Sequence, residues 1–268
     1  MAVIVVLTST IFTLKTVDVQ FMSTTQNITS ANSQIVESGK FKYGESVFIS
    51  NKKAYIQNIE KSNPYIKVVN IETIFPSKYV IHATERNECF VVKLKNNKYA
   101  VTDEELKVLK ILDAYQNNAS NGIEILNSTL GEQSVQAGDF FSVTNNYFKV
   151  MFDCFREWQK TNKSYAEVRA RIKSICVNYE ATDRLLVNMR SGVQIIVENS
   201  LAQLSDKLNL AFSFYDTTTN KAGDPVDYTK NGIILITESK NKIFGLYKPL
   251  WFLPFDNWLL PQKKVLTK

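Results

Sequence analysis

The chain has 268 residues, which is enough for about two domains of ordinary size. Hydrophobic residues make up 44% of it and aromatic residues 12%, so packed cores can form. The formal net charge is +6, but the lysines are spread along the chain with no arginine-rich run, which argues against a nucleic-acid partner.

The N-terminal segment, Met1–Leu14, is almost wholly apolar or small, and the first charged residue is Lys15. As a helix it would rise about 21 Å, less than the roughly 30 Å of a hydrocarbon core. A secretory signal would carry a positive residue before the apolar run and a small-residue cleavage site after it, and neither is clear. We predict that residues 1–17 are the outer part of a membrane-spanning helix with Lys15 at the outer interface; a buried core strand is the alternative.

The following segment, residues 18–88, has the signals of a small α/β module. A strand is predicted over Val17–Met22, followed by a short helix that is capped near Ser30, Asn32 or Ser33 and ends at Gly39. A second helix, with Ala54, Ile56 and Ile59 on its inner face, is predicted over about 51–61 and stops before Pro64. Two strands then form a hairpin around Phe75-Pro76, the second over Tyr79–Glu85. The predicted order is β-α-α-β-β.

Residues 89–248 read as a larger β-rich domain with helices. Phe148–Gln159 is predicted to be a helix because its large apolar residues recur every three or four positions, and leucines from Leu201 to Leu210 mark another. The acidic run Asp103–Glu105 is expected to be a solvated turn. Short strands are predicted over 89–95, 98–102, 172–179, 184–188, 193–197, 233–238 and 242–247.

Candidates for catalysis are few. His82 is the only histidine, and a lone histidine on a strand is usually packing or surface. The three cysteines, Cys89, Cys154 and Cys176, lack metal or redox spacing, although one pair could form outside the cytoplasm. Because no glycine-rich phosphate loop occurs either, we predict no enzyme activity, cofactor or metal site.

Five short signatures of the first module occur in a fixed order: Ser33 to Gly39, Gly44 to Ile49, Asn63 to Ile66, Phe75-Pro76 and Glu85-Arg86. Their order and spacing resemble the POTRA module of the bacterial cell-division family FtsQ/DivIB. We expect these residues to be turns, caps and strand ends, with Glu85 and Arg86 more typical of an exposed ion pair or a strand end than of a site.

Later segments resemble the second domain of the same family: 183–193, 201–208 and 231–236. The chain departs from the family pattern at 102–109, which lacks the usual hairpin glycine, and at Glu198-Asn199, where a glycine is usual. The local register of these two places therefore stays open.

The resemblance implies an α+β protein with one membrane-anchoring helix, a POTRA module and a mixed β-sheet domain. It also implies a non-enzymatic scaffold at the division septum, with most of the chain outside the cytoplasm. Its partners would be FtsB/DivIC-like and FtsL-like proteins, with other membrane division proteins contacted through the POTRA module. In this family the last strand of the second domain receives a strand from the FtsB/DivIC-type partner. The implied partner-binding residues are Ile234, Ile236, Lys242, Ile243, Phe244, Gly245, Leu246 and Tyr247.

Alternatives remain at this stage. The last hairpin could be an ordinary edge protected by the aromatic and basic tail, residues 249–268, which could also clamp over the sheet or lie at a membrane interface. A POTRA-bearing chaperone or translocation component is the alternative function, because it would bind polypeptide strands by the same edge chemistry. A wall-modifying enzyme is disfavoured by the lack of catalytic residues.

Overall fold

The computed structural model describes residues 10–23, 26–118, 122–126, 128–143, 146–159, 164–178, 183–219, 223, 225–239 and 242–249. These residues form an α+β structure that divides into two units. The first unit comprises the chain up to Asn87 together with Lys107–Lys110 and Val135–Phe140; the second comprises Glu88–Leu106, Ile111–Ser134 and the chain from Phe141 onward.

The first unit has the predicted β-α-α-β-β order. A short 3₁₀ helix, Thr10–Phe12, precedes the elements β1 (Thr16–Phe21), α1 (Asn32–Ser38), α2 (Lys52–Ser62), β2 (Ile66–Ile74) and β3 (Lys78–Glu85). The central strand is β3, which pairs with β1 in parallel and with β2 in antiparallel orientation. The core lies between this sheet and the two helices and includes Ile35, Tyr55, Ile59 and Tyr79.

The helix ends of this unit follow partly from the expected signals. The Asn51 side chain accepts a hydrogen bond from the Ala54 amide and begins α2, and Asn63 ends it. The capping prediction for α1 was wrong, because the N-cap position is Ala31. Gly39 ends α1 with an ordinary right-handed φ of −65°; a side chain there would collide with the Phe41 ring, which explains the glycine.

The apolar N-terminal segment is described only from Thr10 onward, and residues 1–9 lie outside the described residues. Leu14 is 2% exposed and packs in the core of the first unit. Its amide donates to the Glu45 carbonyl at 2.9 Å, so this part of the predicted anchor belongs to the unit's own fold. Among the described residues, no helix has the length and apolar character needed to cross a bilayer.

Glu85 ends β3, as one of the two expectations predicted, but the other expectation, an exposed ion pair, was wrong. Arg86 is 4% exposed, and its Nη2 atom lies 3.0 Å from Glu60 Oε2. The ammonium group of Lys107, also buried, lies 3.9 Å from the same carboxylate oxygen and donates to the Gly138 carbonyl at 3.1 Å. Glu85 instead accepts hydrogen bonds from the amides of residues 26 and 27. Glu60, Glu85 and Arg86 thus make contacts within the first unit that stabilise its fold.

The described part of the larger sheet has nine strands in the order β12-β11-β10-β9-β8-β7-β4-β5-β6. The strands are β4 (Phe90–Lys93), β5 (Tyr99–Thr102), β6 (Val108–Leu112), β7 (Ile123–Leu126), β8 (Ile172–Val177), β9 (Arg184–Met189), β10 (Gln194–Glu198), β11 (Gly232–Ser239) and β12 (Lys242–Pro249). A short 3₁₀ helix, Thr129–Glu132, and three helices complete the second unit: α3 (Tyr147–Trp158), α4 (Tyr165–Arg171) and α5 (Leu204–Tyr215). Pairings of β4 with β7, β7 with β8 and β10 with β11 are parallel, whereas β8 through β10 and the pair β11–β12 run antiparallel.

Helices α3 and α5 pack together through aromatic side chains. The indole ring of Trp158 stacks on Phe212 with ring centroids 4.3 Å apart, and its Nε1 donates to Asp216 at 2.7 Å. Contacts of α5 with β10, β11 and β12 place this helix on one face of the sheet. The predicted apolar face of α3 is confirmed, since its large apolar residues are buried.

Several details of the second unit differ from the sequence expectations. Asp103 is 1% exposed, so the acidic turn is not solvated throughout; its carboxylate accepts a hydrogen bond from the Glu105 amide. Leu201 lies before α5 and is exposed. All three cysteines are buried as free thiols, so the possible disulfide is not formed. The short elements α4 and β7 were not predicted.

Candidate functional site

The last two strands form the predicted hairpin at the end of the large sheet. Every residue of β12 pairs with β11 in one continuous antiparallel register, from Ser239 opposite Lys242 to Gly232 opposite Pro249. In the described part of the chain, β12 has a neighbour on one side only. Its second side is therefore an edge, the kind of surface that can accept another strand.

The two faces of this hairpin have different roles. Side chains alternate between faces along a strand, so directly paired residues share one face. Ile234 and Ile236 are fully buried on the face that α5 covers, as is Gly245, which pairs with Ile236. The two isoleucines are therefore core residues that support the edge and cannot contact a partner through their side chains.

A glycine at position 245 lets the helix approach β12 closely. A Cβ atom there would lie 3.0 Å from the ring of Phe214 on α5, which is tighter than ordinary packing. The Phe214 ring also stacks on Tyr228, with centroids 5.1 Å apart. Position 245 thus sets the distance between α5 and the edge strand.

Tyr247 is held by its surroundings. Its hydroxyl donates to the Lys230 carbonyl at 2.9 Å, and its ring lies 4.5 Å from the Tyr228 ring. Burial raises the pKa of Tyr247, with smaller contributions from the charge of Asp227 and from Tyr228. The Asp227 carboxyl has its pKa lowered to about 2 by hydrogen bonds from Thr229 and Lys230, and it forms an ion pair with Lys230 at 2.9 Å. Tyr247 is a structural anchor of the hairpin as well as a candidate contact.

The opposite face of the hairpin carries Phe244 and Leu246, which are both half-buried. Leu246 pairs with Leu235, which pairs with Ile196 on β10. The same register continues across the sheet through Leu186, Cys176 and Leu126. This apolar row ends at the edge with Leu246, so an added strand would extend it.

The buried Lys207 contacts β11 next to the start of β12. Lys207 on α5 is fully buried, and its ammonium group donates to the carbonyls of Glu198 and Asn199 at 3.2 and 2.8 Å. It also lies 3.3 Å from Glu238 Oε2, on the residue that pairs with Ile243. Sequence reasoning missed this support, although a lysine inside the leucine repeat of α5 was its visible sign. Lys242, at the beginning of β12, is exposed.

The described residues show little that resembles a reaction centre. No group of three or more histidine, cysteine and acidic side chains is placed there to hold a metal ion. His82 Nε2 lies 2.7 Å from Glu72 Oε2 at the surface of the small sheet. Burial raises the pKa of the Cys89 thiol well above its ordinary value, and it raises that of Cys154, so neither is prepared as a nucleophile.

The sequence is similar to known bacterial proteins. Residues 12–86 match the model of the POTRA domain, FtsQ-type. Similar proteins include the cell division protein DivIB of Clostridium botulinum strain Hall, 25% identical over 192 residues that cover 65% of this chain and 70% of that protein. Residues 12–86 therefore form an FtsQ-type POTRA domain, and the chain as a whole is similar to DivIB cell division proteins.

Other DivIB proteins show the same extent of similarity. The one from Clostridium tetani is 26% identical over 199 residues, covering 73% of this chain and 69% of the relative. The one from Clostridium acetobutylicum is 21% identical over 200 residues, covering 73% and 80%. These lengths exceed the POTRA domain, so the similarity continues into the region of the large sheet.

Proposed function

We propose that this protein is a non-enzymatic scaffold of the bacterial division machinery whose edge strand β12 docks an FtsB/DivIC-type partner by strand addition. The main support for this proposal is the position of β12 at the end of the described sheet, where it pairs with β11 in a continuous register. A strand with one open side offers backbone hydrogen bonds to an extended segment, which gives affinity without a deep pocket.

The proposed contacts divide by face. Phe244 and Leu246 offer apolar surface next to an incoming strand, while Lys242 adds a positive charge at the start of the edge. Ile243, Gly245 and Tyr247 lie on the face of α5, where they and the buried Ile234 and Ile236 keep the strand flat and fixed. A preformed edge lowers the ordering cost of binding, since only the partner must become extended.

The remaining parts of the scaffold follow from the family. We infer that residues 18–88 act as a POTRA module towards other membrane division proteins and that residues 89–248 act as the partner-binding β domain. An FtsL-like protein would bind together with the FtsB/DivIC-type partner. The apolar segment before Thr10 would anchor the protein in the cell membrane at the septum, with the bulk of the chain outside the cytoplasm and the tail, 249–268, after the docking strand.

The side-chain part of this proposal is tested by a matched pair of variants. Phe244→Lys places a charge at the edge, whereas Thr237→Lys places the same charge directly opposite it on the inner neighbour β11. We expect Phe244→Lys to weaken binding of the extracytoplasmic part of the host's FtsB/DivIC-like protein by about tenfold or more, because it removes apolar contact. Thr237→Lys should bind as the wild type does. Equal binding by both variants would exclude Phe244 as a contact.

The backbone part needs a different measurement. Strand addition predicts that the partner slows hydrogen exchange at alternate amides of β12, the ones that face away from β11. Docking through side chains or through another surface would leave these amides unchanged. If Phe244→Lys loses binding but the partner does not slow hydrogen exchange in β12, then Phe244 belongs to a binding surface and strand addition is rejected.

A further inference from the structure

Three phenylalanine rings of the first unit form a cluster at its surface. Phe48 lies 5.2 Å from Phe75 and 5.5 Å from Phe12 between ring centroids, and Phe12 lies 6.4 Å from Phe75. Phe12 packs against the core, which fixes the base of the cluster. We call these rings, with the neighbouring residues Ile11 and Ile49, the phenylalanine patch.

Four of the five residues of the patch are largely exposed. Phe48 is 45% exposed and Phe75 57%, while Ile11 and Ile49 are 60% and 70% exposed. Scattered single apolar residues are common on protein surfaces, but a contiguous group of five marks a place of contact.

Backbone contacts hold the patch together as a rigid surface. The Val47 amide donates to the Phe12 carbonyl at 2.9 Å, and Thr13 bridges to Ser46. On the other side, the Lys15 amide donates to the Ser77 carbonyl at 2.8 Å. The three segments that carry the rings are therefore bound to one another, and the patch is built into the fold.

The chemistry of the chain beside the patch points to a lipid surface. Residues 1–7 read Met-Ala-Val-Ile-Val-Val-Leu and end four residues before Ile11, a chain length of at most about 14 Å. An apolar phase that takes up these residues thus comes within reach of the patch. Exposed Lys15 and Lys53 flank the patch in sequence, and lysines near apolar side chains favour an anionic lipid surface.

We propose that the phenylalanine patch rests in the interface of an anionic bilayer, with the rings among the acyl chains and the lysines at the headgroups. The first unit then meets the membrane through a folded surface in addition to its N-terminal segment. Its orientation on the membrane is set by the patch. This inference does not depend on the docking edge of the large sheet.

The contact is measured directly with an added tryptophan in the full chain, bound to vesicles of phosphatidylglycerol and phosphatidylcholine. Phe48→Trp reports on the patch, and Met22→Trp reports on a position outside it that is more exposed, at 64% against 45%. Brominated lipid should reduce the emission added at position 48 by about twofold or more, because interfacial side chains reach the acyl boundary. The emission added at position 22 should stay unchanged.

A second pair of variants tests the contribution to affinity. Phe48→Glu/Phe75→Glu should weaken binding to the same vesicles by about tenfold relative to Met22→Glu/Val69→Glu, which makes the same charge change at exposed apolar positions elsewhere in the unit. Both doubles should keep the melting temperature of the wild type within a few degrees.

Three results would overturn the proposal: a chain that does not bind vesicles, a bound chain in which lipid fails to quench position 48, or equal binding by the two doubles. If the patch variant instead loses a division protein while vesicle binding is unaffected, the patch is a protein interface.

Discussion

The buried Lys207 on α5 gives a prediction about the stability of the second unit. In Lys207→Met, the ammonium group is removed while most of the side-chain volume stays. Two carbonyl oxygens and the carboxylate of Glu238 then lose their partner. Breaking a fully buried ion pair costs about 3–5 kcal/mol, and the Glu238 side chain is 23% exposed and can regain some hydration. We therefore expect the free energy of unfolding of the second unit to fall by about 3 kcal/mol.

The assay is urea denaturation of the full chain, with hydrogen exchange of β10 and β11 to assign the loss to the second unit. The double variant Lys207→Met/Glu238→Gln is the control, because it removes both charges together. It should recover at least half of the loss, since a buried pair can be replaced by neutral groups at little cost. A change of less than about 0.5 kcal/mol in Lys207→Met alone would show that the ammonium group is not desolvated, and would refute this reasoning.

Two further predictions concern other buried groups. Glu60→Gln leaves two buried cations, Arg86 and Lys107, without their shared carboxylate, so the free energy of unfolding of the first unit should fall by about 2–4 kcal/mol in urea denaturation; an unchanged midpoint would contradict this account. Burial raises the pKa of Tyr147 from its ordinary value of 10 to about 12. Its contribution to stability is therefore complete below pH 10 and is lost as the pH rises from 10 to 12, by up to about 3 kcal/mol. In Tyr147→Phe this part of the alkaline loss should disappear, and one fewer tyrosine should titrate late in absorbance at 295 nm; a titration identical to the wild type would refute the assignment.

The sequence was most informative where a pattern repeats locally. Alternating apolar residues predicted the last hairpin nearly to the residue, and the spacing of aromatic residues predicted α3, because these periods reflect which face is buried. The short elements α4 and β7 escaped notice because four to seven residues contain too little of either period. Leu201 was counted in a helix on the same grounds, although it lies outside α5.

Burial of charge was the least predictable property. The local sequence does not distinguish Arg86 from a solvated residue, and it marks Lys207 only by its place among the leucines of α5; their partners Glu60 and Glu238 lie far away along the chain. The strand β12 was predicted, but its two faces could not be told apart from sequence. Only the packing of α5 shows that Ile236 is in the core and that Phe244 lies on the opposite face.

The first unit is discontinuous in sequence, which affects its folding during synthesis and the effect of truncating the chain. Lys107–Lys110 and Val135–Phe140 belong to that unit, although they follow the first strands of the large sheet in sequence. During synthesis, the charge cluster of Glu60 and Arg86 therefore stays incomplete until both later segments have left the ribosome. A protein truncated after Asn87 keeps β1 to β3, α1 and α2 but loses Lys107 and the Gly138 carbonyl, so Glu60 keeps Arg86 and loses its second cation.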